Sequence, residues 1–182
     1  MTPKRKFHAV RPWWVLSVAL ALLPGCIPSP GEPPMGEPPL PPITNRTTDS
    51  SQTGQQEASL QLTDEGRQLL ASGRWDEAAS VFQKAISLYP NNPYAYYYLS
   101  QARYLKKDYS HSLAPLRQAE LYLSDDSVWM ARVYALRGQV HEALSQLDEA
   151  RDQYQKALSF DPQNAEAREG LDRIQSLTPP AG

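Results

Sequence analysis

Six sets of residues recur along this chain in a single register. Gly66, Ser100 and Gly138 correspond, as do Trp75, Tyr109 and Leu147; Ala78, Ser112 and Ala150; Phe82, Leu116 and Tyr154; Ala85, Ala119 and Ala157; and Pro90, Ser124 and Pro162. In every set the sequence numbers differ first by 34 and then by 38. A period of this length leaves few folds open. A unit of this size with amphipathic helical patterning cannot bury its apolar face alone, so copies must stack on one another.

A 34-residue helix-turn-helix unit of this kind resembles the tetratricopeptide repeat. The resemblance covers three repeats, 59–92, 93–126 and 131–164, followed by a cap helix at 165–177 and a tail at 178–182. It implies an all-α fold, a short α-solenoid occupying 59–177. Small residues at Gly66, Ser100 and Gly138 let the first helix of each unit approach the second closely. Ala78 and Ala150 do the same from the second helix, and Phe82, Leu116 and Tyr154 fill the space between neighbours. Pro90 and Pro162 end the second helices, because proline disfavours helix at the residue before it and lacks an N–H. In the cap helix, Leu171, Ile174 and Leu177 fall on one apolar side.

Local signals mark the joints. Gly73-Arg74, Lys107-Asp108 and Ser145-Gln146 are the expected turns inside the repeats, and Asn91-Asn92 and Gln163-Asn164 the expected caps of the helices that follow. The four extra residues fall between Ala119 and Tyr134, about one helical turn, and predict a longer helix capped by Asp126 or Ser127. Some positions depart from the repeat pattern: Glu65 and Arg137 stand where Leu is common, and Arg103 and His141 where Tyr is common. Pro115 falls within the second helix of the second repeat. An interior proline costs a helix about 3 kcal/mol, so a kink or a shifted start is expected.

The N-terminus reads as an export signal. Lys4, Arg5, Lys6 and Arg11 precede Trp13–Leu23, an uncharged, mostly apolar run. That run is too short to span a bilayer well, which takes about 20 residues, and it has the layout of a secretory signal. Leu22-Leu23-Pro24-Gly25-Cys26 follows and contains the chain's only cysteine. These residues resemble the lipobox of bacterial lipoproteins, with Pro24 where Ala or Ser is more usual. The resemblance implies a signal peptide at 1–25, removal of that segment, and palmitate-type acyl chains on Cys26. Ile27, which is not Asp, implies outer-membrane placement facing the periplasm. Several acyl chains on one residue give a stable anchor where a single chain does not.

Residues 26–58 read as a disordered linker. Eight of the 17 prolines lie in Pro28–Pro42, which favours extended polyproline II, and Ile43–Glu57 is rich in Ser, Thr, Gln and Asn. From Cys26 onward the chain carries 14 basic and 20 acidic side chains. It has no dense basic patch, so nucleic acid is not an expected partner.

No residue set assembles a catalytic or metal site. His8 lies in the leader, and His111 and His141 have no ligand partner at metal spacing. Acidic pairs such as Asp76-Glu77, Asp125-Asp126 and Asp148-Glu149 sit at helix starts, where they complement the helix dipole. No Gly-rich phosphate loop or nucleophile turn is present. No enzyme activity, cofactor or small-molecule substrate is expected.

By the resemblance, the first helices of the repeats line a concave groove. Its positions include Arg67 and Leu70, with Leu60 and Thr63, in the first repeat; Tyr94, Tyr97, Gln101 and Tyr104 in the second; and Arg132 and Gln139 in the third. Seven of the ten tyrosines lie between Tyr94 and Tyr122. Tyr94, Tyr97, Gln101 and Tyr104 share one helical face, and tyrosine suits both packing and interface contact. Arg67 and Arg132 do not rebuild the basic groove by which chaperone-binding repeats grip C-terminal carboxylates. The expected function is a lipid-anchored binding module, an adaptor or assembly factor that holds a protein or peptide of the cell envelope in this groove. The alternative is a structural subunit of a larger envelope assembly, such as a pilus or secretion complex, working through its convex side or the helix ends, near Trp129 or the cap helix.

Overall fold

The computed structural model describes Ile43 and residues 54–177. Among these residues lie seven α-helices: α1 (Gly54–Ala71), α2 (Trp75–Leu88), α3 (Pro93–Leu105), α4 (Tyr109–Tyr122), α5 (Ser127–Ala143), α6 (Leu147–Phe160) and α7 (Ala165–Leu177). The densest packing is within the pairs α1/α2, α3/α4 and α5/α6. The first helices also touch in series, α1 on α3, α3 on α5 and α5 on α7. This is the all-α solenoid that the period implies. The expected signal peptide, Cys26 and the tail at 178–182 lie outside the described residues.

Chain geometry explains the joints. The turns within the pairs pass through left-handed backbone at Gly73 (φ 76°), Lys107 (φ 64°) and Ser145 (φ 62°). Only the first has the residue that adopts this conformation without strain. The first helices of the second and third pairs, and α7, start on side-chain caps. Asn92 accepts from the Ala95 N–H at 3.1 Å, Asp126 from Trp129 at 3.1 Å and Asn164 from Ala167 at 2.9 Å. The second helices have no such cap. Asp76, Glu77, Asp148 and Glu149 lie in the first turns of α2 and α6 instead, against the positive end of the dipole.

The small residues do what the spacing requires. A Cβ added to Gly66 would stand 2.4 Å from the Phe82 ring, and one on Gly138 2.5 Å from Tyr154. At the middle position Ser100 uses its hydroxyl, which donates to the Ser112 carbonyl at 2.8 Å. Gly170 lies outside the repeat register. It meets the other side of Tyr154, with a Cβ-to-ring distance of 2.3 Å.

Pro115 does not shift the start of α4, which begins at Tyr109, in step with Trp75 and Leu147. It lies inside the helix and cannot donate to the carbonyl four residues back, that of His111. Arg103 takes over that carbonyl: its Nη1 donates to the His111 oxygen at 2.7 Å. Arg103→Ala should therefore cost about 1 kcal/mol in the wild-type chain. It should cost clearly less in a Pro115→Ala background, where the helix supplies its own donor. A double-mutant cycle by urea unfolding measures the difference.

Three readings of the sequence are corrected. Composition extends the linker to residue 58, but α1 begins at Gly54, and Glu57 in its first turn complements the dipole. Ile43, which the same composition assigns to the disordered linker, is only 1% exposed, and its N–H donates to Asp64 Oδ1 at 3.0 Å. A polar composition around one isoleucine conceals a single strong anchor. Leu177, on the apolar side of the cap helix by its spacing, is exposed, while Ile174 is buried.

Candidate functional site

The extra turn decides the character of the face formed by α1, α3 and α5. The first helix of the second pair has 13 residues and that of the third has 17, and the added turn is Ser127–Met130. Trp129 sits in that turn. Its equivalents in register are Glu57 of α1 and Asn91, just before α3, neither of them apolar, so the period could not point to it. Asp126 caps the turn through the Trp129 N–H and so fixes where the indole goes.

The indole of Trp129 is buried against α3. Its ring meets Tyr94, Tyr97 and Tyr98 edge-on, with centroids at 5.0, 5.2 and 5.9 Å. Tyr98 also stacks on Phe82 of the pair below. Arg132 lies over Trp129 at 5.1 Å and Arg67 over Tyr98 at 5.3 Å, so both guanidiniums cover aromatic rings. Arg67 Nη1 also donates to Asp64 Oδ1 at 2.7 Å. The result is a continuous row from Asp64 and Arg67 on α1, through Tyr98, Tyr97 and Tyr94 on α3, to Trp129 and Arg132 on α5.

The sequence-derived groove positions divide accordingly. Tyr94, Gln101, Tyr104, Leu70 and Gln139 are partly exposed. Tyr97 and Arg132, at 6% and 7% exposure, are packing residues of the floor more than contact residues. Thr63 is fully buried in a polar knot between the first two repeats. There Asn92 Nδ2 donates to Ser59 Oγ at 2.8 Å and to Thr63 Oγ1 at 2.9 Å, while Ser59 Oγ donates to the Ala85 carbonyl at 2.7 Å. Thr63 is thus structural. Tyr104 stands apart from the Trp129 cluster, its ring centroid 5.6 Å from that of Tyr109. Burial raises its phenol pKa, with the nearby Tyr109 and Glu142 adding to the rise. Sequence reasoning misses Asp64 and Ile43 and places Tyr98 only as a packing residue. The broken spacing is the available signal for Trp129.

Two carboxylates tie successive elements together beside this face. Glu120 of α4 accepts from the Tyr134 hydroxyl and from Arg137 Nη2, the latter at 2.7 Å. Glu142 of α5 accepts from the Tyr154 hydroxyl at 2.6 Å and from Arg173 of α7 at 2.9 and 3.0 Å. Burial pushes both carboxyl pKa values up, but hydrogen bonds and the adjacent arginines outweigh it. Both therefore fall below the ordinary 4.5. A depressed folded-state pKa gives stability that is complete above the unfolded value and is lost as pH falls through the folded one. The melting temperature should thus drop as pH goes below about 4.5. The Glu120→Gln, Glu142→Gln double variant should start lower at neutral pH and show a shallower acid decline, as read by thermal melts from neutral to strongly acidic buffer. Among the described residues, no group of three His, Cys, Asp or Glu is arranged to hold a metal ion.

Comparison with known proteins agrees with this architecture. Tetratricopeptide repeat models match residues 63–126 and 131–164, together more than half of the chain. RNA polymerase II-associated protein 3 of Mus musculus is 30% identical over 128 residues, a match covering 66% of this chain and 18% of that protein. Heat shock protein STI1 of Saccharomyces cerevisiae is 31% identical over 111 residues, covering 60% and 18%. The chain thus spans about a fifth of the length of these curated relatives. The first repeat domain of human RPAP3 superposes with a TM-score of 0.61 at 25% identity, covering 66% of this chain and 92% of that one. The first such domain of Spaghetti (RPAP3), solved bound to the HSP90 peptide SRMEEVD, gives 0.59 at 25% identity and covers 65% and 91%. MamA from Desulfovibrio magneticus RS-1 gives 0.56 at 27% identity and covers 64% and 63%.

Proposed function

Since this chain belongs to the tetratricopeptide repeat family, we propose that it is a non-catalytic interaction module that holds an extended peptide segment of a partner protein across α1, α3 and α5. The observation that carries this reading is the aromatic row from Tyr98 to Trp129, flanked by Arg67 and Arg132, with Tyr94 partly exposed on it and Tyr104 partly exposed further along α3. Rigid aromatic surface with polar tips offers contact area at low entropic cost. The solved peptide complex of a similar domain supports the choice of this class of ligand. Here both guanidiniums are engaged over the chain's own rings, which favours an apolar, extended peptide over an acidic C-terminus.

The module would be carried on the bacterial envelope by acyl chains on Cys26, at the outer membrane facing the periplasm, as an adaptor or assembly factor. This placement rests on the basic leader, the short apolar run and the single cysteine that follows it. Two experiments test the reading. Cys26→Ala should move the protein from the membrane to the soluble fraction; retention at the membrane would refute the lipid anchor. In-cell crosslinking of the Tyr94→Ala, Tyr104→Ala variant should lose the partners that wild type captures by at least tenfold, with helicity unchanged. Equal capture would instead favour a structural subunit that uses its convex side or its ends.

A further inference from the structure

Ile43 follows Pro41-Pro42 and lies well upstream of Gly54, where α1 begins. It is nevertheless as buried as the centre of the domain, and it belongs to the apolar core that runs from Leu60 to Ile174. Its N–H is held by Asp64 Oδ1, the same oxygen that accepts from Arg67. Asp64 lies between Leu60 and Arg67 at helical spacing, so all three share one stripe of α1. The chain therefore places one of its own residues at the head of the face proposed as a peptide site. Chain length permits this. The stretch from Ile43 to Gly54 can reach about 35 Å, whereas α1 rises only about 15 Å from Gly54 to Asp64.

Resting on that reading of the face, we propose that Ile43, a residue of the chain itself, occupies the head of the site in cis. The external ligand then has the same chemistry: an extended peptide with a β-branched aliphatic residue directly after proline. The pairing is chemically selective. Pro41 and Pro42 have no N–H, so the anchor residue itself supplies the donor that Asp64 fixes. Proline before the anchor also favours the extended form before binding, which lowers the entropy lost on docking. A short tether holds its own ligand at an effective concentration on the order of millimolar. An external peptide of similar strength cannot compete with that unless the tethered copy lets go.

The test uses the full chain and a fluorescein-labelled peptide of residues 36–48, read by polarisation. The Ile43→Asp chain should bind the peptide at least tenfold more tightly than wild type, and a peptide with the same change should not bind either chain. In wild type the Ile43 amide should be protected from hydrogen exchange, and Asp64→Ala should expose it. Equal affinity for wild type and Ile43→Asp would overturn the proposal, as would no binding to a folded Ile43→Asp chain or an unprotected Ile43 amide. A concentration-dependent dimer in wild type that disappears in Ile43→Asp would also overturn it, by showing that Ile43 docks in a second copy. None of these results bears on the Tyr94 and Tyr104 experiment, so the two readings can fail separately.

Discussion

Tyr154→Ala is expected to destabilise the domain by about 3–5 kcal/mol, the range for truncating a buried aromatic residue. The ring is fully buried and has no slack on either side. Gly138 of α5 and Gly170 of α7 both approach it so closely that neither could carry a methyl group without movement. Truncation would thus empty the space that three helices close around. The hydroxyl is a smaller matter. It donates to Glu142, and burial, with that carboxylate next, raises its pKa well above the ordinary 10. Glu142 keeps Arg173 when the hydroxyl is removed, so Tyr154→Phe should cost only about 1 kcal/mol. Urea unfolding checks both magnitudes. Contacts in a stacked array run mainly between neighbours, so the loss should be uneven. Amide exchange in Tyr154→Ala should accelerate first in α6 and α7 and last in α1 and α2.

Asn92→Ala is the second large effect, expected at about 2–4 kcal/mol, combining a lost cap with buried hydroxyls left without a donor. One side chain here performs two tasks. Its oxygen caps α3 through Ala95, and its nitrogen reaches back to Ser59 and Thr63 in the preceding repeat. Asn92→Ser separates the tasks, because it keeps a cap acceptor and gives up the reach. Its melting temperature should fall between those of wild type and Asn92→Ala. If Asn92→Ser matches wild type, the link between repeats contributes nothing beyond the cap.

The repeat, its turns and most of its caps were legible in the sequence because each is local. A spacing of 34 identifies the unit, Gly66 and Gly138 mark its tight contacts, and Asn92 and Asp126 announce helix starts. The site was legible only in part. Trp129 lies one turn upstream of the repeat register, where its equivalents are Glu57 and Asn91, so no comparison between repeats could assign it a role. Thr63 and Tyr97 share helical faces with exposed positions but are covered by neighbours, which a single-helix projection does not show. Arg103 departs from the repeat pattern, and its purpose depends on Pro115, in the neighbouring helix. Ile43 lies in a stretch whose composition favours disorder, and nothing local signals its long-range hydrogen bond to Asp64.

That hydrogen bond also sets a length. With Ile43 held at Asp64, anything attached upstream is leashed to the middle of α1, and the stretch from Ile43 to Gly54 contributes nothing to the reach. Letting go of Ile43 adds that stretch to the leash, about 35 Å of contour. The proposed exchange of Ile43 for a ligand would therefore move the domain from a short to a long radius of action.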